Sequence, residues 1–90
     1  MYDVFGWNER KRRETLESRG LDFADAPQVI LADDVVTFVD KRKDYGEERF
    51  LAFGTFKKNR LCVCYTIRNE VIRIISFRKV HDKEWRLKHG

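Results

Sequence analysis

The chain has 90 residues, of which 42% are hydrophobic and 13% aromatic, with 19 Lys and Arg against 15 Asp and Glu. That length suits one domain over residues 1–90, and the apolar content argues against disorder despite 38% charged residues. No run approaches the roughly 18 apolar residues of a membrane span, and the N-terminus lacks the layout of a signal peptide, so a cytoplasmic protein is expected.

The elements follow in chain order. Asn8 is placed to cap a helix that runs from Glu9 to Arg19 and stops at Gly20. Leu16 is its one large apolar residue, so anchorage must come from Phe5 and Trp7 before it and Leu21 and Phe23 after. Asp22 reads as the cap of a second, short helix with Phe23, Ala26, Val29 and Ile30 on one side, and Pro27 fits only near its start. The pattern then alternates. Strands are expected over Asp34–Lys41, Glu48–Phe56, Leu61–Ile67 and Val71–Arg78, joined by short turns, and a charged helix over His81–Lys88. The order α-α-β-β-β-β-α predicts an α+β fold: a four-stranded antiparallel meander with the helices gathered on one face.

Charge is unevenly spread. Residues 21–40 carry five Asp and no Lys or Arg, whereas residues 41–90 carry fourteen basic and six acidic groups. The basic half points to a polyanionic partner, although a merely solvated charged surface accounts for the same numbers. Cys62 and Cys64 share one face of a strand, too far apart to bridge easily, and His81 and His89 lie in another segment. Two buried thiols are expected there, and no metal site.

Arg73 stands among Ile72, Ile74 and Ile75, where an unpaired charge is costly unless it opens onto a cleft. Either an anion on the sheet face or an ion pair with Glu48 or Glu70 would answer it. Alternation sets Arg49 with Leu51 and Phe53, so Arg49, Arg73, Arg78 and Lys79 are candidates to converge across neighbouring strands. Fixed guanidiniums suit a phosphodiester transition state, in which charge accumulates on the phosphoryl oxygens. Trp7, Tyr65 and Trp85 are candidate stacking platforms for bases, with core packing as the alternative for each. Imidazole is a common proton carrier, which makes His81 a candidate, with Glu48 and Glu84 as alternatives; the residue pattern does not choose among them.

Four segments resemble one family in order. Phe5-Gly6-Trp7-Asn8-Glu9-Arg10-Lys11 resembles its opening F-x-W-D-x-x-K, and Arg19 to Ala26 its H-G-V-S-F-E-E-A. Gly46-Glu47-Glu48-Arg49-Phe50 resembles G-E-E-R-F, and Ile72 to Lys79 resembles I-R-I-I-S-A-R-K, with Lys83-Glu84 similar to the closing K-E. On these motifs the chain resembles the BrnT ribonuclease toxins of bacterial type II toxin–antitoxin systems. The resemblance implies a RelE-like fold and RNA cleavage by 2′-hydroxyl attack, without a metal or organic cofactor. It implies catalytic roles for Arg49, Arg73 and Arg78, with Glu48 or His81 moving protons, and RNA contacts from Lys79, Trp7, Lys11 and Trp85. Its implied partners are RNA and a BrnA-like ribbon-helix-helix antitoxin, with operator DNA met only through the antitoxin complex and no membrane. Three positions depart from the pattern: Arg19 replaces a His, Thr15 an Asn, and Lys88 a Tyr. A non-catalytic nucleic-acid-binding module and a protein-interaction domain are the other readings.

Overall fold

The computed structural model describes residues 4–90. In chain order these form β1 (Phe5–Trp7), α1 (Glu9–Arg19), a single 3-10 turn (Phe23–Asp25), α2 (Ala26–Ile30), β2 (Val36–Val39), β3 (Arg49–Phe56), β4 (Asn59–Arg68), β5 (Val71–Lys79) and α3 (Asp82–His89). The α+β class and the antiparallel β2–β5 meander are as expected. The sheet, however, has five strands, ordered β1-β5-β4-β3-β2, because Phe5-Gly6-Trp7 pairs parallel with Ile72-Arg73-Ile74. Three residues with one glycine carry no legible period; only the distant partner strand makes them a strand.

The helices do not gather on one face, which corrects the expected arrangement. One face packs Leu61, Val63, Ile72, Ile74 and Phe77 against Phe23, Ala26 and Val29. Residues of opposite phase, Phe53 and Cys62, pack against Val80 and Trp85 on the other face. Trp85 thus seats α3 opposite α2. Gly54 lets α2 lie directly on β3: a Cβ there would sit 2.8 Å from the Val29 carbonyl oxygen.

Local chemistry explains the ends of the elements. The Asn8 side chain accepts from the Lys11 amide, and Gly20 takes the left-handed φ of 68° while its N–H reaches the Leu16 carbonyl. Asp22 caps the 3-10 turn by accepting from the Ala24 amide, and Pro27 lies in the first turn of α2. No residue of α1 is buried. Polar bonds hold it instead: the Arg12 guanidinium donates to both Asp22 oxygens at 2.8 and 3.2 Å and to Glu9 at 2.7 Å. Beyond the end of β1, where β5 would show an open edge, Lys11 donates to the Ile75 carbonyl at 2.6 Å and Arg19 to the Phe77 carbonyl at 2.8 Å. Two α1 cations thus cover a strand edge that would otherwise invite pairing with another chain.

Candidate functional site

The face that α3 only partly covers carries a transverse row of side chains. Gly6 pairs with Arg73, Arg73 with Thr66, and Thr66 with Arg49. The row continues to Asp40, whose amide donates to the Arg49 carbonyl at 2.7 Å. Arg73 and Arg49 are therefore two strands apart on one face, roughly 10 Å between backbones. Buried Thr66 lies between them, and its hydroxyl donates to the Glu48 carbonyl at 2.7 Å.

A bulge decides what else reaches this face. Cys64 opposes Ser76 and Tyr65 opposes Ile74, which leaves Ile75 as the extra residue on β5. Arg73 and Arg78 are five positions apart and would face opposite ways on a regular strand. The extra residue returns Ser76 and Arg78 to the face of Arg73. The second row reads Ser76–Cys64–Leu51–Phe38, and the third Arg78–Cys62–Phe53–Val36, roughly 13 Å along the sheet from the first. Helix α3 lies against the third row through Trp85, and Lys88 Nζ sits 5.1 Å from the Phe38 ring and 5.7 Å from the Phe53 ring. The first row is left open.

The arginines differ in how far they are neutralised. Arg78 is bidentate to Glu84 at 2.8 and 2.9 Å, a bond that lowers the Glu84 carboxyl pKa and straps α3 to the sheet. Arg73 has no side-chain hydrogen bond or ion pair among the described residues, so neither Glu48 nor Glu70 answers it. Arg49 lies 4.1 Å above the Tyr45 ring, with Glu47 3.5 Å from its Nε. That Nε is buried and makes no hydrogen bond. Its contact with Glu47 is long and Glu47 is shared with Arg68 at 2.7 Å, so the Arg49 charge is only partly neutralised.

Two nearby acids, Glu47 and Asp40, are held mainly by other arginines. Glu47 takes two bonds from Arg68 at 2.8 and 2.7 Å, and these hold its carboxyl below the usual range. The Asp40 side chain is fully buried and accepts from Arg42 at 2.8 and 2.7 Å and from the Tyr45 hydroxyl at 3.2 Å. The Arg42 bonds, ahead of all else, drive the Asp40 carboxyl far below the carboxylate range. Asp40 thereby ties down the loop that carries Arg42 and Tyr45, on whose ring Arg49 lies. The thiols of Cys62 and Cys64 are unpaired and buried as expected, and burial pushes Cys62 up to about 12.

The other sequence candidates are dispersed. Lys79, at the far end of β5 roughly 17 Å along the strand from Arg73, and His81 beyond it are exposed. Glu48 is exposed beside Arg49, and Lys11 is at the β5 bulge. Trp7 packs with the helix-covered core and donates to Glu9 at 3.2 Å. Tyr65 stacks on Phe50 at 5.3 Å. Trp85 is buried, with the His89 ring stacked on it at 3.7 Å and Arg60 at 5.3 Å. Sequence reasoning missed Asp40, Arg42, Tyr45, Glu47 and Thr66. Glu47 was legible as the partner two residues before Arg49, but the Asp40 cluster forms only when the β2–β3 loop closes.

A small α+β domain with two half-buried, incompletely neutralised arginines on one row of a sheet face fits a polyanion-binding class of protein. The chain belongs to the family described as the ribonuclease toxin, BrnT, of type II toxin–antitoxin systems, which matches residues 7–84. A search of the curated proteins finds no match. The protein is accordingly an RNA-cleaving toxin whose class acts with an antitoxin partner. Among the described residues, no helix is long and apolar enough to cross a membrane.

Proposed function

We propose that RNA is bound and cut on the open row of the sheet, with Arg73 and Arg49 holding the scissile phosphate and stabilising its transition state. The observation that carries this reading is the pair of half-buried guanidiniums on one row, Arg73 with no ion pair among the described residues and Arg49 with only a 3.5 Å contact to a Glu47 it shares with Arg68, since a phosphate supplies the acceptors their outer nitrogens need. In the step itself the 2′-oxygen attacks the adjacent phosphorus. The O2′–P bond forms and the P–O5′ bond breaks, which leaves a 2′,3′-cyclic phosphate and a 5′-hydroxyl. The 2′-hydroxyl proton goes to a general base and a proton returns to the leaving O5′. Glu48 lies one residue before Arg49, at the row's end of the sheet, whereas His81 follows the far end of β5. Arg78 acts from the third row as a more distant cation held by Glu84. Arginine charge serves here in place of a metal ion.

The whole 1–90 chain acts as one cytoplasmic BrnT-like unit. A BrnA-like ribbon-helix-helix antitoxin neutralises it, and operator DNA is contacted through that complex. Purified protein is incubated with RNA in EDTA, and cleavage is followed on a gel. Arg73→Ala and Arg49→Ala each lower the rate by about 10²–10³-fold, whereas Arg10→Ala, on the exposed side of α1, leaves it unchanged. Undiminished cleavage by both site variants removes the proposed row. Tight RNA binding without turnover in the unmutated protein returns the chain to the non-catalytic binding reading.

A further inference from the structure

A second cationic cleft lies at the opposite end of the sheet from Arg73. It has a volume of about 380 Å³ and is lined by Lys58, Asn59, Arg60, Lys79, Val80 and Asp82. The β3–β4 turn, the end of β5 and the start of α3 meet there. Asp82 is its one acid, and Arg60 already engages it at 3.0 Å. Lys58 and Lys79, like the other lysines, have no ion pair among the described residues, so the charges of these two are not offset within the cleft. Two unbalanced cations therefore face one concave surface.

The turn at Lys57-Lys58 holds φ at 50° and 67°, the left-handed pair a two-residue hairpin needs, as the Asn69-Glu70 turn does at 50° and 66°. It sets Lys58 at the rim of the cleft. On the other wall the first turn of α3 carries Asp82 and Glu84, and Glu84 is held by Arg78, which leaves Asp82 as the acid that lines the cleft.

We propose that this cleft is a second phosphate subsite for the same RNA strand, separate from the cleavage row and setting the length of RNA the protein grips. The inference rests on the reading that RNA lies across Arg73 and Arg49. The two sites are roughly 17 Å apart along β5, so one strand must run over several nucleotides to occupy both. That falls within the about 4–16 nucleotides a single-strand surface covers. The subsite adds affinity and length preference and takes no part in bond making.

The test uses fluorescently labelled 2′-O-methyl RNAs of about 12 and about 4 nucleotides, which cannot undergo 2′-hydroxyl attack, with binding read by anisotropy across a salt series. Lys58→Glu weakens the longer RNA about tenfold and reduces the slope of log K against log salt by about 0.7, the loss of one single-strand phosphate contact. The shorter RNA binds both proteins alike. Equal affinity and slope for the longer RNA overturn the proposal, as does an equal loss on the shorter one. If Arg73→Ala weakens both RNAs while Lys58→Glu weakens neither, the cleft falls and the cleavage row stands. If Lys58→Glu acts as stated but the unmutated protein cuts no RNA, the subsite stands and the catalytic reading falls.

Discussion

Asp40 shows how one side chain organises others that do the chemistry. Its carboxylate is enclosed, yet both oxygens are answered, by the two Arg42 donors and the Tyr45 hydroxyl. Burial alone would raise its pKa, but the charged donors outweigh burial and lower it. Asp40→Asn replaces one acceptor oxygen with a donor facing cationic Arg42. The expected loss of stability is about 1.5–3 kcal/mol, measured by urea unfolding at pH 7. Tyr45→Phe removes one neutral donor and should cost only about 0.5–1.5 kcal/mol in the same assay. Equal losses would mean that the arginine bonds contribute nothing. Arg73 behaves in the opposite way, since it was conspicuous in the sequence as a charge among isoleucines and has no ion pair among the described residues. Arg78 looked equivalent in the chain, but Glu84, six residues on, neutralises it once α3 folds back onto the sheet.

At the scale of elements, α1 and α2 are held in contrasting ways. Helix α2 depends on close approach: Val29 is fully buried, and its carbonyl lies against the position that a Cβ on residue 54 would take. Gly54→Ala must push back a helix backbone, because the nearest atom is a carbonyl oxygen and not the end of a flexible side chain. A loss of about 1–3 kcal/mol is expected in urea unfolding, and an unchanged midpoint would show that α2 is not fixed there. Helix α1 buries nothing and is held by guanidinium and ammonium bonds to Asp22 and to the carbonyls of β5. Its boundaries were readable because caps are local, with Asn8 at one end and Gly20 at the other. The β5 bulge was not readable. Nothing in Val-Ile-Arg-Ile-Ile-Ser-Phe-Arg-Lys marks Ile75 as the extra residue, and only the register against β4 selects it.

Across the whole molecule, charge is arranged so that most acids are engaged and selected cations are not. Asp22, Asp34, Asp40, Glu47 and Glu84 all have lowered carboxyl pKa values, with arginine bonds as the leading cause in four and the Thr55 hydroxyl in Asp34. A lowered folded value means that the unfolded chain binds more protons between the two values. Stability from these groups is therefore complete above their unfolded pKa of about 4 and drains away as pH falls through the folded values. The urea midpoint should be flat between pH 6 and 8 and fall below about pH 4. A midpoint that holds steady to pH 2 would show that these ion pairs add nothing to the fold.

The basic excess of residues 41–90, visible in the sequence, thus includes a row at Arg73 and Arg49 and a cleft at Lys58 and Lys79. The sequence by itself determined the α+β class, four of the strands, the helix caps, the buried thiols and the family motifs, because each is written in local spacing or short segments. Only the tertiary structure decided that Phe5–Trp7 is a strand, that α3 sits opposite α2, and that Arg49 and Arg73 share a row with Thr66. It also decided which arginines are neutralised, since Asp40, Glu47 and Glu84 meet their partners through loop closure and helix docking. Those outcomes depend on pairing between residues distant in sequence or brought together by the loop, and neither local propensity nor side-chain period encodes such register.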